Sequence, residues 1–133
     1  MTPDNIENDV LTFADRLVAA FGSHDVESYF SAFSEDASFL FHNVKRLIVS
    51  REEYRAEWRL WEERDGFRVL SCQSSDRRIN VLGDVAVFTH RVATTARFGT
   101  EAVHSRERET IVFKRFPDGR WLGVHEHLSI DEG

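Results

Sequence analysis

Apolar side chains recur every three or four residues at the start of the chain: Ile6, Val10, Phe13, Leu17 and Phe21. That spacing gathers them on one stripe of an amphipathic helix. Thr2-Pro3 opens this helix, because proline at the first helical position gives up no needed hydrogen bond, and Gly22 ends it. Asp25 then caps a short second helix carrying Val26, Tyr29, Phe30 and Phe33. Residues 37–42 read as a short strand, with another at 47–49. A third helix starts at Ser50-Arg51-Glu52-Glu53, the spacing of a capping box in which serine and glutamate satisfy each other's free backbone donors. It sets Tyr54, Trp58 and Trp61 on one face and closes at Gly66.

Beyond Gly66 the pattern changes to long strands. Residues 67–80, 84–98, 103–116 and 120–129 are rich in β-branched and aromatic side chains. Gly83-Asp84, Gly99-Thr100 and Pro117-Asp118-Gly119 separate them as reversals. In the last run, alternation puts Trp121, His125, His127 and Ser129 on one sheet face and Leu122, Val124, Glu126 and Leu128 on the other. Helices followed by a strand meander predict an α+β fold, with the N-terminal helices packed on one face of a curved antiparallel sheet.

Composition narrows the function classes. The 133 residues suit one domain, 1–133, with 41% apolar side chains, eleven Phe and three Trp. A net charge of −6 argues against nucleic acid or an anionic membrane as partner. No apolar run reaches membrane-spanning length, and no signal peptide is evident. The single Cys72 forms no intrachain disulfide and reads as a small core residue, which points to a reducing, cytoplasmic setting. There is no Gly-rich phosphate loop and no G-x-S-x-G elbow. The mixed charges from Arg55 to Asp65 read as a solvated helix face.

The order of elements resembles the NTF2-like superfamily, in its SnoaL-like and ketosteroid-isomerase-like branch. The pieces that carry the resemblance are His24-Asp25, Phe33-Ser34-Glu35-Asp36-Ala37, Arg108-Glu109-Thr110 and the ending Asp118-Gly119-Arg120-Trp121 with His125-Glu126-His127-Leu128-Ser129. The resemblance implies a cone with helices in the concave face of the sheet, an apolar pocket inside, and a homodimer through the outer sheet face. Ketosteroid isomerases use an aspartate base and an oxyanion hole of tyrosine and protonated aspartic acid. The matching positions here are Phe41, Leu17 and Ile111, all apolar. That chemistry loses its base and donors and is argued against.

By the same resemblance Ile111, Val124, Glu126 and Leu128 line the cone, His90 faces the pocket, and Trp121, His125 and His127 face a dimer partner. His90, Glu109 and Glu126 then meet on three successive strands. A carboxyl among aliphatics has its pKa raised, and a neighbouring imidazole can share its proton. His90 and Glu126 are therefore the candidate acid–base pair, with His42, beside the lost base position, as a substitute. The competing reading pairs Glu126 with Arg108 or Arg91, without chemistry. Leu17, Phe41, Trp58, Trp61, Phe88, Glu109, Ile111, Val124 and Leu128 form the expected pocket wall, suited to a small hydrophobic or aromatic molecule. His125 and His127, joined by His90 or His104, offer a weak metal set, and neither metal nor cofactor is expected. Three classes stay open: a small-molecule binder, an isomerase, lyase or hydrolase, and a non-catalytic dimerisation module.

Overall fold

Residues 3–133 are described here in a computed structural model; the Thr2 start of the first helix lies outside them. The order is α1 (Pro3–Gly22), α2 (Val26–Ser31), β1 (Phe33–Phe41), α3 (Arg51–Asp65), β2 (Phe67–Leu82), β3 (Val85–Phe98), β4 (Glu101–Arg115) and β5 (Trp121–Ile130). In α1 the stripe buries Val10, Ala14 and Leu17 completely or nearly so, and Ile6, Phe13 and Phe21 flank them. The α1–α2 corner is pinned by His24, held at φ 57°. Its Nδ1 accepts the Val69 N–H at 2.9 Å, so Nε2 carries the proton donated to Glu62 at 2.7 Å.

Two local expectations change. Phe33 is not the last apolar residue of α2 but the first of β1. The Ala32 carbonyl accepts the Gly123 N–H at 2.9 Å, which draws the chain into the sheet before another helical turn can form. At the α3 start, Ser50 Oγ accepts the Glu53 N–H at 3.1 Å, but Glu53 does not reciprocate. Its carboxylate takes the Val49 N–H at 3.1 Å and the Arg46 guanidinium at 3.0 Å instead. Those two partners hold Glu53 below the usual carboxylate range.

The sheet order is β1-β5-β4-β3-β2. The four long strands pair antiparallel as the meander predicts, while β1 joins the edge parallel to β5, with Phe39 opposite Glu126. A parallel neighbour needs a long crossover, and α3 with β2–β4 supplies it. The expected strand at 47–49 is a single bridge, Ile48 to Phe39, and residue 42 lies in the turn after β1. β2 breaks register between Val69 and Ser71 and between Ser75 and Arg78, which bends the sheet around the helices. α1 packs on β2 and reaches β3 and β5, and α3 closes over β1 and β2.

A further bulge corrects the face assignment in β5. Val112 pairs with His125 but Phe113 pairs with Gly123, leaving Val124 unopposed. The extra residue reverses the alternation, so Trp121 turns inward and is only 1% exposed. It sits in the core with Phe33 and Phe113 rather than on the outer face. Gly123 permits this close packing: a Cβ there would lie 2.7 Å from the Phe33 ring. Phe33 is itself locked against Tyr29 and Phe39 at centroid distances of 5.4 and 5.0 Å. Gly123→Ala is expected to cost about 1–3 kcal/mol by overpacking. The check is a lower urea midpoint at unchanged slope, and an unchanged midpoint would show that the ring has room to yield.

Candidate functional site: a cavity between helices and sheet

Inward side chains of the sheet meet α1, α2 and α3 around a cavity of about 420 Å³. Its upper wall is aromatic, with Trp58 and Trp61 of α3, Phe67 at the start of β2 and Phe21 of α1. Of the wall expected from sequence, Leu17, Phe41, Trp58, Trp61, Glu109 and Leu128 border the cavity, together with Glu126 and His42. Phe88 and Ile111 do not; both are fully buried in the core beneath it. Val124 is the unopposed bulge residue and does not border it either. Tyr29, Tyr54, Glu107, Cys72 and Thr94 also line it, as do Asn43, Ser105, Arg64 and Asp65.

Beneath the cavity runs a row of polar side chains that crosses the sheet and rises into the helices. Ser74 Oγ lies 2.6 Å from His90 Nδ1, and His90 Nε2 lies 2.6 Å from Glu109 Oε1. Glu109 shares a hydrogen bond with Glu126. Tyr29 Oη donates to Glu126 Oε2 at 3.3 Å and stands 2.8 Å from Tyr54 Oη. Register explains the sheet half of the row: His90 faces Glu109 directly across β3 and β4, and Glu126 faces Ile111 across β4 and β5. A hydroxyl has one proton. Tyr29 spends its own on Glu126, so Tyr54 donates to Tyr29.

Electrostatics fixes the state of the central group. Burial pushes the Glu126 carboxyl well above its ordinary range, reinforced by the Glu109 charge and hydrogen bond and by Glu107, with the Tyr29 hydroxyl opposing. The Glu126 carboxyl therefore holds its proton above the pH at which a free carboxyl loses it, and the Glu109 carboxylate receives that hydrogen bond. Burial first, and Glu126 next, also push the Tyr29 and Tyr54 hydroxyls upward, so both stay protonated. The half-buried Cys72 thiol accepts from Thr94 at 3.7 Å and is pushed up to about 11, chiefly by burial, so it is no thiolate nucleophile at neutral pH. His42 Nε2 meets Glu107 Oε2 at 2.5 Å at the cavity wall.

The candidate acid–base groups are thus divided differently from the sequence expectation. Glu126 and Glu109 border the cavity, whereas the His90 side chain is wholly buried behind Glu109 and reaches the cavity only through it. Neither candidate arginine pairs with Glu126: Arg91 lies 3.4 Å from Asp76 and 3.7 Å from Asp131, and Arg108 lies beside a shallow depression on the outer face. The remaining histidines are dispersed. His125 Nδ1 bonds Ser38 Oγ at 2.8 Å, with its imidazole held below the usual range by burial and by His127. His127 borders the outer depression, and His104 bonds Thr95 on the exposed β3–β4 hairpin. Among the described residues no group of three or more His, Cys, Asp or Glu side chains is arranged to hold a metal ion. No helix among them is long and apolar enough to cross a membrane.

Sequence reasoning missed Tyr29, Ser74 and Glu107 as members of the site. Glu107 was accessible by parity, since it shares a strand face with Glu109 and Ile111. The tyrosine pair was not, because the hydroxyls meet only once α2 and α3 pack together.

Comparisons with known proteins agree with this fold. Solved structures that match include an NTF2-like protein from Cytophaga hutchinsonii, at 19% identity and TM-score 0.78, over 98% of this chain and 100% of that one. An NTF2-like protein of unknown function in nutrient uptake from Rhodospirillum rubrum matches at 21% identity and TM-score 0.78, over 92% and 98%. A protein from Catenulispora acidiphila, in complex with S-DNPA, matches at 16% identity and TM-score 0.79, over 96% and 95%. At these identities the likeness establishes the fold. Among curated proteins, none matches the sequence. The model of the SnoaL-like domain matches residues 10–131, nearly the whole chain. The chain belongs to the SnoaL-like domain family and has the NTF2-like fold.

Proposed function

We propose that this protein binds a small, mostly apolar molecule in the cavity between its helices and sheet. The observation that carries the reading is the chamber of about 420 Å³, lined mostly by apolar and aromatic side chains, with polar groups gathered at its floor and mouth. Small-molecule sites have this composition, with few polar groups fixing orientation. The Catenulispora acidiphila neighbour, solved in complex with S-DNPA, lends support through its shared fold. A concrete test titrates 2-naphthol into the protein by calorimetry and repeats the titration with Thr94→Phe. Thr94 borders the cavity, and phenylalanine there fills space that the probe needs. Saturable binding that the substitution weakens at least tenfold is expected. Absence of binding, or indifference to Thr94→Phe, would overturn the reading.

A second reading, acid–base catalysis on the bound molecule, is favoured by the Glu126 carboxyl, which burial and the neighbouring Glu109 push well above its ordinary range. In it Glu126 is the acid, Glu109 the base, and His90 a positioning residue that acts through Glu109. His42 with Glu107 forms a second pair on the wall. Ketosteroid isomerase chemistry is not part of this reading, since Leu17, Phe41 and Ile111 are apolar. Glu126→Gln then abolishes turnover of any substrate and retains binding; His90→Ala lowers kcat with little change in KM. We further propose a homodimer through the outer sheet face, with His125 and His127 but without the buried Trp121. Light scattering that returns a monomeric mass at micromolar concentration would remove it.

A further inference from the structure

We propose that the occupant of the cavity is an apolar amine in its ammonium form, held between the aromatic wall and the carboxyl floor. This rests on the reading of the cavity as a small-molecule site and specifies the charge class of its ligand.

The charge inventory comes first. Among the described residues Glu107, Glu109 and Glu126 border the cavity, with Asp65 at its mouth, and no lysine does. The one bordering guanidinium, Arg64, is tied at the mouth to Asp65, at 3.0 and 2.9 Å. An anionic molecule would therefore meet three carboxyl groups with no free cation to receive it. An ammonium meets its complement, and it meets it beside Trp58, Trp61 and Phe67. Trp58 is packed within the cluster, while Trp61 and Phe67 are only partly buried and can turn ring surface toward a cation in the cavity. The C-terminal end of α3 also sits at the mouth through Arg64 and Asp65, and the negative end of a helix favours cations.

Hydrogen-bond accounting points the same way. The hydroxyl protons of Tyr29 and Tyr54 are used inside the polar row, and the Glu126 proton is used on Glu109. What the row still offers is lone pairs on Tyr54 Oη and Glu126, which call for donors on the ligand.

Binding should be linked to protons. An ammonium favours the ionised form of Glu126 and expels the proton that Glu126 and Glu109 share. The groups facing Glu126 are Glu109 with His90 behind it, Glu107 with His42, Tyr29 and Tyr54 from the helices, and Cys72 from β2; β1 opposes it with Phe39.

The test uses three probes of one shape: 4-methoxyphenethylamine, 4-methoxyphenethyl alcohol and 4-methoxyphenylacetate. Calorimetry is run at pH 7.5 in two buffers of different ionisation enthalpy, so that proton release is counted. The amine is expected to bind at least tenfold tighter than the alcohol and to release protons, and the acetate to be weakest. Glu126→Gln is expected to remove the release and most of the preference for the amine over the alcohol. An alcohol or acetate that binds as tightly as the amine overturns the ammonium assignment and leaves the cavity reading standing. Tight amine binding without proton release from the wild-type protein overturns the role of Glu126 in it, even if Glu126→Gln does not fold. Failure of all three probes to bind overturns both readings.

Discussion

Trp58→Ala is expected to remove about 3–5 kcal/mol, the usual cost of deleting a large buried aromatic side chain. Trp58 lies at the centre of the aromatic cluster, with ring centroids of Phe21, Tyr29, Phe30, Tyr54, Trp61 and Phe67 all within 6.5 Å of its own. It ties α3 to α1, α2 and the start of β2 at once. Domains of this kind have roughly 5–15 kcal/mol in total, so the variant should be marginal at 37 °C. Trp58→Phe is expected to lose far less than its size change implies, because it also deletes the unpartnered Nε1–H. Trp61 sits at the edge of the same cluster and is only partly buried, so Trp61→Ala should cost clearly less. Urea unfolding of the three variants checks the order. Equal losses for Trp58→Ala and Trp61→Ala would mean that the cluster is held by the sheet side and that Trp58 is not its centre.

Most of the fold was readable because each element carries its own punctuation. The α1 stripe, the Asp25 and Ser50 caps and the left-handed Gly66 are local signals, and the structure places them where the pattern did. Gly83 and Gly99, both at positive φ, close two-residue reversals whose partners are Leu82 with Val85 and Phe98 with Glu101. What could not be read was non-local. The parallel docking of β1 beside β5 depends on α3 carrying the chain back across the concave face. The bulge at Val124 depends on how Phe33 and Ile111 pack against Gly123. That single insertion sent Trp121 inward, although alternation had grouped it with His125 and His127. Strict period-two reasoning fails wherever one extra residue enters a strand, and the sequence marks this one only by a glycine.

The site shows the same division. Glu126 and Glu109 were legible as inward carboxyls because parity survives downstream of the bulge. His90 was legible as inward, but its separation from the cavity by Glu109 was not, since strand parity gives a face and not a depth. The pairing of Tyr29 with Tyr54 joins residues 25 positions apart on two different helices, and only tertiary packing creates it.

The stability of the protein should fall as pH rises above the ordinary carboxyl range, and Glu126→Gln should abolish that fall. The sign follows from linkage. Glu126 has a folded pKa well above its unfolded value of 4.5, so below that value both states carry the proton and the contribution is fully present. Above it the unfolded chain loses the proton while the folded pair with Glu109 keeps it. The folded state then binds more protons, and stability declines by up to about 1.4 kcal/mol per pH unit until the folded pair itself ionises. Glutamine reproduces the protonated acid: its amide N–H donates to Glu109 and its carbonyl accepts from Tyr29. The variant should therefore match the wild type below the ordinary carboxyl range and exceed it increasingly as pH rises, until the folded pair itself ionises. His90, His42, Glu107, Tyr29 and Tyr54 are common to both proteins, so the difference between their stability curves isolates the Glu126 proton. Thermal or urea unfolding across pH 4.5 to 9 measures that difference. Parallel curves would show that Glu126 ionises alike in the folded and unfolded chain, and the shared proton beneath the cavity would have to be abandoned.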